Sequence, residues 1–128
     1  MILHKIKSIR TNNFNDPEMF SKVIDLWSKS VVNIPENKIR YGIYHNYQSD
    51  YRGDYSLTTA IEDKNDMSGI LIPDSNKYIT YTDDSNDVPK LWKQVWLDED
   101  NKKIIRKYDY DFEKYYPDGT VEVYISVK

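Results

Sequence analysis

The chain has 128 residues, 39% of them hydrophobic, 30% charged and 14% aromatic, and its formal net charge is −3. That length fits one domain with a single genuine core, and an aromatic-rich chain of so small a net charge is not a disordered one. The 18 Lys and Arg are scattered among 21 Asp and Glu, which argues against the clustered basic face of a nucleic-acid binder, and runs such as Gly69-Ile70-Leu71-Ile72 are far too short to span a membrane.

In chain order, Lys5 to Thr11 alternates weakly, with Ile6, Ser8 and Arg10 on one side and Lys7, Ile9 and Thr11 on the other, and predicts a strand. Asn15-Asp16-Pro17-Glu18 is a helix start, with Asp16 as N-cap and Pro17 at the first helical position. Phe20, Val23, Ile24, Trp27 and Val31 then fall at three- and four-residue spacing and predict a helix over residues 17–31, which Asn33-Ile34-Pro35 stops. Arg40 to Tyr47 and Asp54 to Ile61 predict a hairpin with a medium loop, and the polar stretch Asp63 to Ser68 connects two halves.

The second half repeats the order. Pro73-Asp74-Ser75-Asn76 introduces a strand at Lys77 to Thr82, and Asp87 or Asn86, with Pro89 close behind, caps a helix over residues 87–98. Its apolar positions Val88, Leu91, Trp92, Val95 and Trp96 make the strongest helical pattern in the chain. Arg106 to Tyr115 and Val121 to Val127 predict a closing hairpin around the turn Pro117-Asp118-Gly119.

The halves also match in letters. Leu26-Trp27 corresponds to Leu91-Trp92, and Tyr44-His45-Asn46-Tyr47 corresponds to Phe112-Glu113-Lys114-Tyr115. Two repeats, about residues 1–62 and 76–128, suggest one pseudo-symmetric α+β domain: a tandem βαββ duplication, with an antiparallel sheet, both helices on one face and a pocket between the halves.

Few residues carry recognisable chemistry. With no Cys, thiol catalysis and disulfides are excluded, and the only histidines, His4 and His45, have no metal-ligand spacing. Asp83-Asp84 and Asp98-Glu99-Asp100 flank a predicted helix and read as caps and solvated charge, so no metal site and no cofactor are expected. Met1-Ile2-Leu3-His4-Lys5 has no secretory pattern, and a cytoplasmic location is the expectation. Glu113 points away from Phe112, Tyr110 and Tyr108 if the strand alternates, and by composition alone it belongs to a solvated outer face. Trp27 and Trp92 read first as core. Twelve tyrosines exceed what such a core can satisfy with hydrogen bonds, so some should line a ligand surface; rings with a carboxylate suit an organic cation.

Taken together, Ile9-Arg10-Thr11-Asn12-Asn13, Leu26-Trp27, Ile72-Pro73 before Lys77-Tyr78-Ile79-Thr80-Tyr81, the Trp92 and Trp96 pair, and Asp111-Phe112-Glu113-Lys114-Tyr115 followed by Val123-Tyr124-Ile125 resemble the AraC effector-binding, or GyrI-like, small-molecule-binding domains, in their stand-alone, integron-associated form. The resemblance spans the chain, and Asp-Phe-Glu-x-Tyr at 111–115 is its sharpest motif. It implies a tandem βαββ fold and places Glu113 in an aromatic pocket for amphipathic cations, with Trp27, Trp92, Trp96, Tyr44, Tyr55, Tyr78 and Phe112 as the accompanying ligand-binding candidates. The same resemblance allows two alternatives: a hydrolase of reactive small molecules using Glu113 with a nearby Tyr, or a modulator that binds a larger protein such as DNA gyrase. In these 128 residues, the helix-turn-helix domain that many members of that family carry is not expected.

Overall fold

A computed structural model describes all of residues 1–128. Its elements run β1 (Ile2–Thr11), α1 (Met19–Ser30), β2 (Arg40–His45), β3 (Tyr55–Glu62), β4 (Ile70–Leu71), β5 (Lys77–Tyr81), α2 (Val88–Asp100), β6 (Asp111–Tyr115) and β7 (Val121–Val127). All seven strands join one antiparallel sheet in the order β4-β1-β3-β2-β6-β7-β5. Apart from β4, the order reads the same from both margins. Each half contributes its first strand outermost and its second strand to the centre, where β2 pairs with β6. The predicted α+β architecture is the observed one.

Each helix packs on its own half. Leu26 of α1 lies over Tyr55 and Leu57, while Leu91, Trp92 and Val95 of α2 lie over Val123 and Ile125. Tyr44 on the central strand touches both clusters, so the helices cover one face of the sheet. A separate core of Leu3, Tyr41, Ile43, Ala60, Ile70, Ile72 and Phe112 fills the opposite face, which no helix covers.

Several local expectations need correcting. The pairing of β1 with β3 shifts register between Lys5 and Lys7. A one-residue bulge reverses the alternation of the strand. Ile9 therefore packs on the α1 side while Leu3 enters the opposite core, which explains why the period was faint. Helix α1 begins at Met19 rather than at residue 17. Asp16 does not cap it but closes the turn before it, accepting from the Glu18 N–H at 2.9 Å, the Thr11 hydroxyl at 2.8 Å and Lys22 Nζ at 2.6 Å. Asp87 caps α2 as expected, accepting from the Lys90 N–H at 3.2 Å. The strand expected from Arg106 begins only at Asp111, because Tyr108 sits at φ 57° and turns the chain out of the ladder. Short β4, which pairs Ile70 and Leu71 with Leu3 and Ile2, had no periodic signal of its own.

Candidate functional site

Between the two helices and the sheet lies a cavity of about 580 Å³, partly open to solvent, within the size range of small-molecule sites. The first turns and inner faces of both helices wall it, through Met19, Phe20, Val23 and Trp27 of α1 and Val88, Pro89, Trp92, Lys93 and Trp96 of α2. The apolar stripe that defined α1 in the sequence is therefore the cavity wall more than the core: of α1 only Leu26 and Ser30 are buried, and Phe20 and Ile24 are exposed.

The floor is the central strand pair. Gly42 of β2 stands opposite Glu113 of β6, and a methyl group at Gly42 would meet Glu113 Oε1 at 3.0 Å and the Trp27 ring at 3.1 Å. Glycine is what lets the carboxylate and the indole occupy the floor together. Glu113 is 2% exposed. Its Oε2 accepts from the Tyr44 hydroxyl at 2.8 Å and from the Trp92 indole N–H at 2.7 Å, and its Oε1 accepts from the Tyr115 hydroxyl at 2.7 Å. All three donors are neutral, and no Lys, Arg or His pairs with it. Burial pushes the Glu113 carboxyl above its ordinary range, with the hydrogen bonds from Trp92, Tyr115 and Tyr44 pulling partly back. Burial and the nearby Glu113 charge push the hydroxyls of Tyr44, Tyr55 and Tyr115 upward, so they remain protonated donors at any ordinary pH.

A second buried carboxylate, Asp111, is satisfied differently. It accepts from Arg106 Nη2 at 2.7 Å and from the Tyr47 hydroxyl at 2.5 Å, while its other oxygen takes the Ser126 N–H and hydroxyl. Arg106 lies under the Tyr108 ring, 4.2 Å from its centroid. Burial opposes the guanidinium charge, and Asp111, Tyr47 and Tyr108 outweigh it and hold its pKa up. Where the lining meets solvent at exposed Phe14, Tyr51 stacks on Trp96 with the rings 10° from parallel, and Phe14 packs against both. Buried Asn12 ties the two loops carrying these rings together, donating to the Arg52 carbonyl and to Asp54 while accepting from the Phe14 and Asn15 N–H groups.

Of the predicted set, Glu113, Trp27, Trp92, Trp96, Tyr44 and Tyr55 line this cavity. Tyr78 and Phe112 do not, and the sequence assignment of them is corrected. Phe112 faces the opposite side of β6, packed between Tyr41, Tyr78 and Tyr124, and Tyr78 donates its hydroxyl to the Tyr110 carbonyl there. The alternation that turns Glu113 inward turns Phe112 outward. For the same reason the Tyr44 to Phe112 letter match does not pair equivalent positions, since the two side chains lie on opposite faces. His45 also faces away from the cavity, with Nε2 2.7 Å from the Thr58 hydroxyl and its ring stacked on Tyr110. The solvated outer face that composition suggested for Glu113 is not what the fold builds.

Phe14, Tyr47, Tyr51, Lys93, Arg106 and Tyr115 also line the cavity and escaped the sequence reading. Tyr115 shares the period of Glu113 and was within reach, and Phe14 and Tyr51 are conspicuous aromatics in otherwise polar loops. Nothing local marks Arg106. The acidic run 98–100 holds structural hydrogen bonds: Tyr81 donates to Asp98, Tyr108 to Glu99 and Tyr51 to Asp100.

No helix is long and apolar enough to cross a membrane. No family model matches the chain, and no curated protein does. Among solved structures, the chain is similar to an integron cassette protein from the mobile metagenome of Vibrio cholerae, at 26% identity and a TM-score of 0.70. The match covers 98% of this chain and 94% of that one, so what the two share is the whole fold.

Proposed function

We propose that the cavity binds amphipathic, cationic small molecules, as a drug- or effector-binding module, with Glu113 as the counter-charge. The observation that carries this reading is a carboxylate buried on an aromatic floor with three neutral donors and no cationic partner. Buried charges are ordinarily paired, as Asp111 is with Arg106 in the same structure. A ligand ammonium would complete the pair, and the rings of Trp27, Trp92, Tyr44 and Tyr55 would supply cation–π attraction around it. Ring faces impose no fixed hydrogen-bond geometry, which favours tolerance for ligand shape. The resemblance to AraC effector-binding domains supports the same reading.

The test is a titration of Trp fluorescence with a lipophilic quaternary ammonium and its uncharged carbon isostere, for the wild type and Glu113→Gln. The substitution keeps shape and removes charge. Loss of one member of a desolvated charge pair costs roughly 2–5 kcal/mol, or about 30- to several-thousand-fold in affinity, for the cation alone. Protonating Glu113 has the same sense, so the cation should bind more weakly as pH falls through the raised carboxyl pKa. Equal affinities of both probes for both proteins would refute the reading.

A second reading, hydrolysis of a reactive small molecule, draws on one feature. A carboxyl raised by burial beside two tyrosine hydroxyls is the environment of a general acid or base. Turnover of excess substrate separates it from the first, since a binder saturates at stoichiometry.

A further inference from the structure

Three charged side chains line the cavity: Glu113, Arg106 and Lys93. They are not equivalent. The Arg106 guanidinium is held by Asp111 at 2.7 Å and closed over by the Tyr108 ring, so its charge is already balanced. Glu113 sits buried on the floor. Lys93 is exposed, on the α2 face that carries Trp92, Trp96 and Pro89 into the cavity, and makes no ion pair or side-chain hydrogen bond. Its neighbour Lys90, by contrast, is paired with Asp83 at 2.5 Å. The cavity therefore has an unpaired anion at its base and an unpaired cation at its rim, with apolar rings between.

Resting on the proposed cation site, we infer that the preferred ligand is an amphipathic zwitterion, with a cationic head, an aromatic or alicyclic body and an anionic tail. A molecule whose head reaches Glu113 leaves its tail at the mouth, where Lys93 is the charged lining side chain without an ion-pair partner; Arg52, which lies over the Tyr51 ring, is already paired with Asp50 and Asp100. A tail carboxylate, sulfonate or phosphate meets Lys93 favourably, whereas a second cationic group is repelled. Lys93 is thus a specificity determinant for the tail, and Glu113 one for the head. Because the rim is exposed, the attraction is screened by salt, while the interaction at the dry floor is screened much less.

The discriminating pair of probes is a biphenyl carrying a trimethylammonium-methyl group at one end and a carboxylate at the other, and the methyl ester of the same compound. Both are titrated against wild type, Lys93→Gln, Lys93→Glu and Glu113→Gln at about 20 mM and about 500 mM salt, conditions that span strong and weak screening. In the wild type at low salt the carboxylate compound should bind roughly two- to fivefold more tightly than the ester, the range of an exposed ion pair. Lys93→Gln should equalise the two, Lys93→Glu should favour the ester, and high salt should erase the wild-type preference. Equal affinity of the two probes in the wild type, or a preference that survives Lys93→Gln, would overturn the inference while leaving the cation site standing. If Glu113→Gln binds both probes as the wild type does, or if neither probe binds any variant, the cation site fails and the zwitterion with it.

Discussion

Phe112 and Glu113 are adjacent in the chain and lie on opposite faces of one sheet, and aromatic side chains gather around each of them. On the Phe112 face the rings close on one another: Phe112 stacks on Tyr124 at 4.7 Å, and Tyr41 and Tyr78 pack at its edges. The tyrosine hydroxyls there point to the periphery, Tyr41 to Glu62 and Tyr124 to Glu122. On the Glu113 face two helices hold the rings apart, and the hydroxyls of Tyr44 and Tyr115 turn inward onto the carboxylate. Similar residues thus make a packed core on one side and a cavity on the other. The difference lies in whether the centre offers an acceptor, and whether a second layer keeps the walls from collapsing.

Truncation should separate the faces most sharply. Phe112→Ala removes a ring that nothing can replace, and it should cost roughly 3–5 kcal/mol of stability in urea denaturation, with probe affinity little changed in the protein that remains folded. A smaller loss would mean the closed face is less tightly packed than the ring contacts indicate.

Next comes the pH dependence of stability. The raised folded-state pKa of Glu113 means the folded protein holds this proton more tightly than the unfolded chain does. Its contribution is fully present below the unfolded value, about 4.3, and is lost as pH rises through the folded value. Glu113→Gln has no such proton to lose, so it should be the more stable protein at neutral pH, with the gap narrowing toward about pH 4. Denaturation curves of the two proteins across that window that run parallel would show that Glu113 does not titrate there.

Gly42→Ala tests how closely the floor is built. The added methyl meets Glu113 and Trp27 at 3.0 and 3.1 Å, and relieving such overpacking costs typically about 1–3 kcal/mol. Calorimetry should show reduced affinity for the cationic probe together with reduced stability; affinity unchanged would place the ligand away from the strand-pair floor. The smallest effect expected is that of Tyr44→Phe, which deletes one of three donors to the carboxylate. The pH midpoint of cation binding should move upward, because Glu113 loses a bond that favours its charged form. A midpoint that falls or stays put would mean the Tyr44 hydroxyl does not act on that carboxylate.

Much of the architecture was legible in the sequence because it was repeated. Helix α2 announced itself through five apolar positions and an Asp cap, and the strand pair around Pro117-Asp118-Gly119 through its turn chemistry. The bulge in β1 was not legible, because alternation on each side of it is sound and only the sum looks weak. The cavity was harder. Trp92 belongs to the α2 core and to the wall at once, so its period cannot say which role it has. Arg106 reaches the site from the irregular stretch before β6, where a single bridge to Val127 holds it beside β7, and no residue pattern encodes that. Placing Tyr78 and Phe112 in the pocket followed from their being aromatic, against an alternation that already turned Phe112 away from Glu113.

The hydrogen bond from the Trp92 indole to Glu113 makes one chromophore of the protein an internal electrometer. The emission energy of an indole follows the field along its ring, and here the indole N–H is bonded directly to a buried carboxylate whose charge changes with pH. Trp27, edge-on to Tyr115 at 5.2 Å, and Trp96, stacked on Tyr51 near the mouth, have no such contact. Proton uptake at the floor should therefore shift the emission of Trp92 most directly and that of Trp27, across Gly42 from the same carboxylate, through space, readable without any label or any ligand.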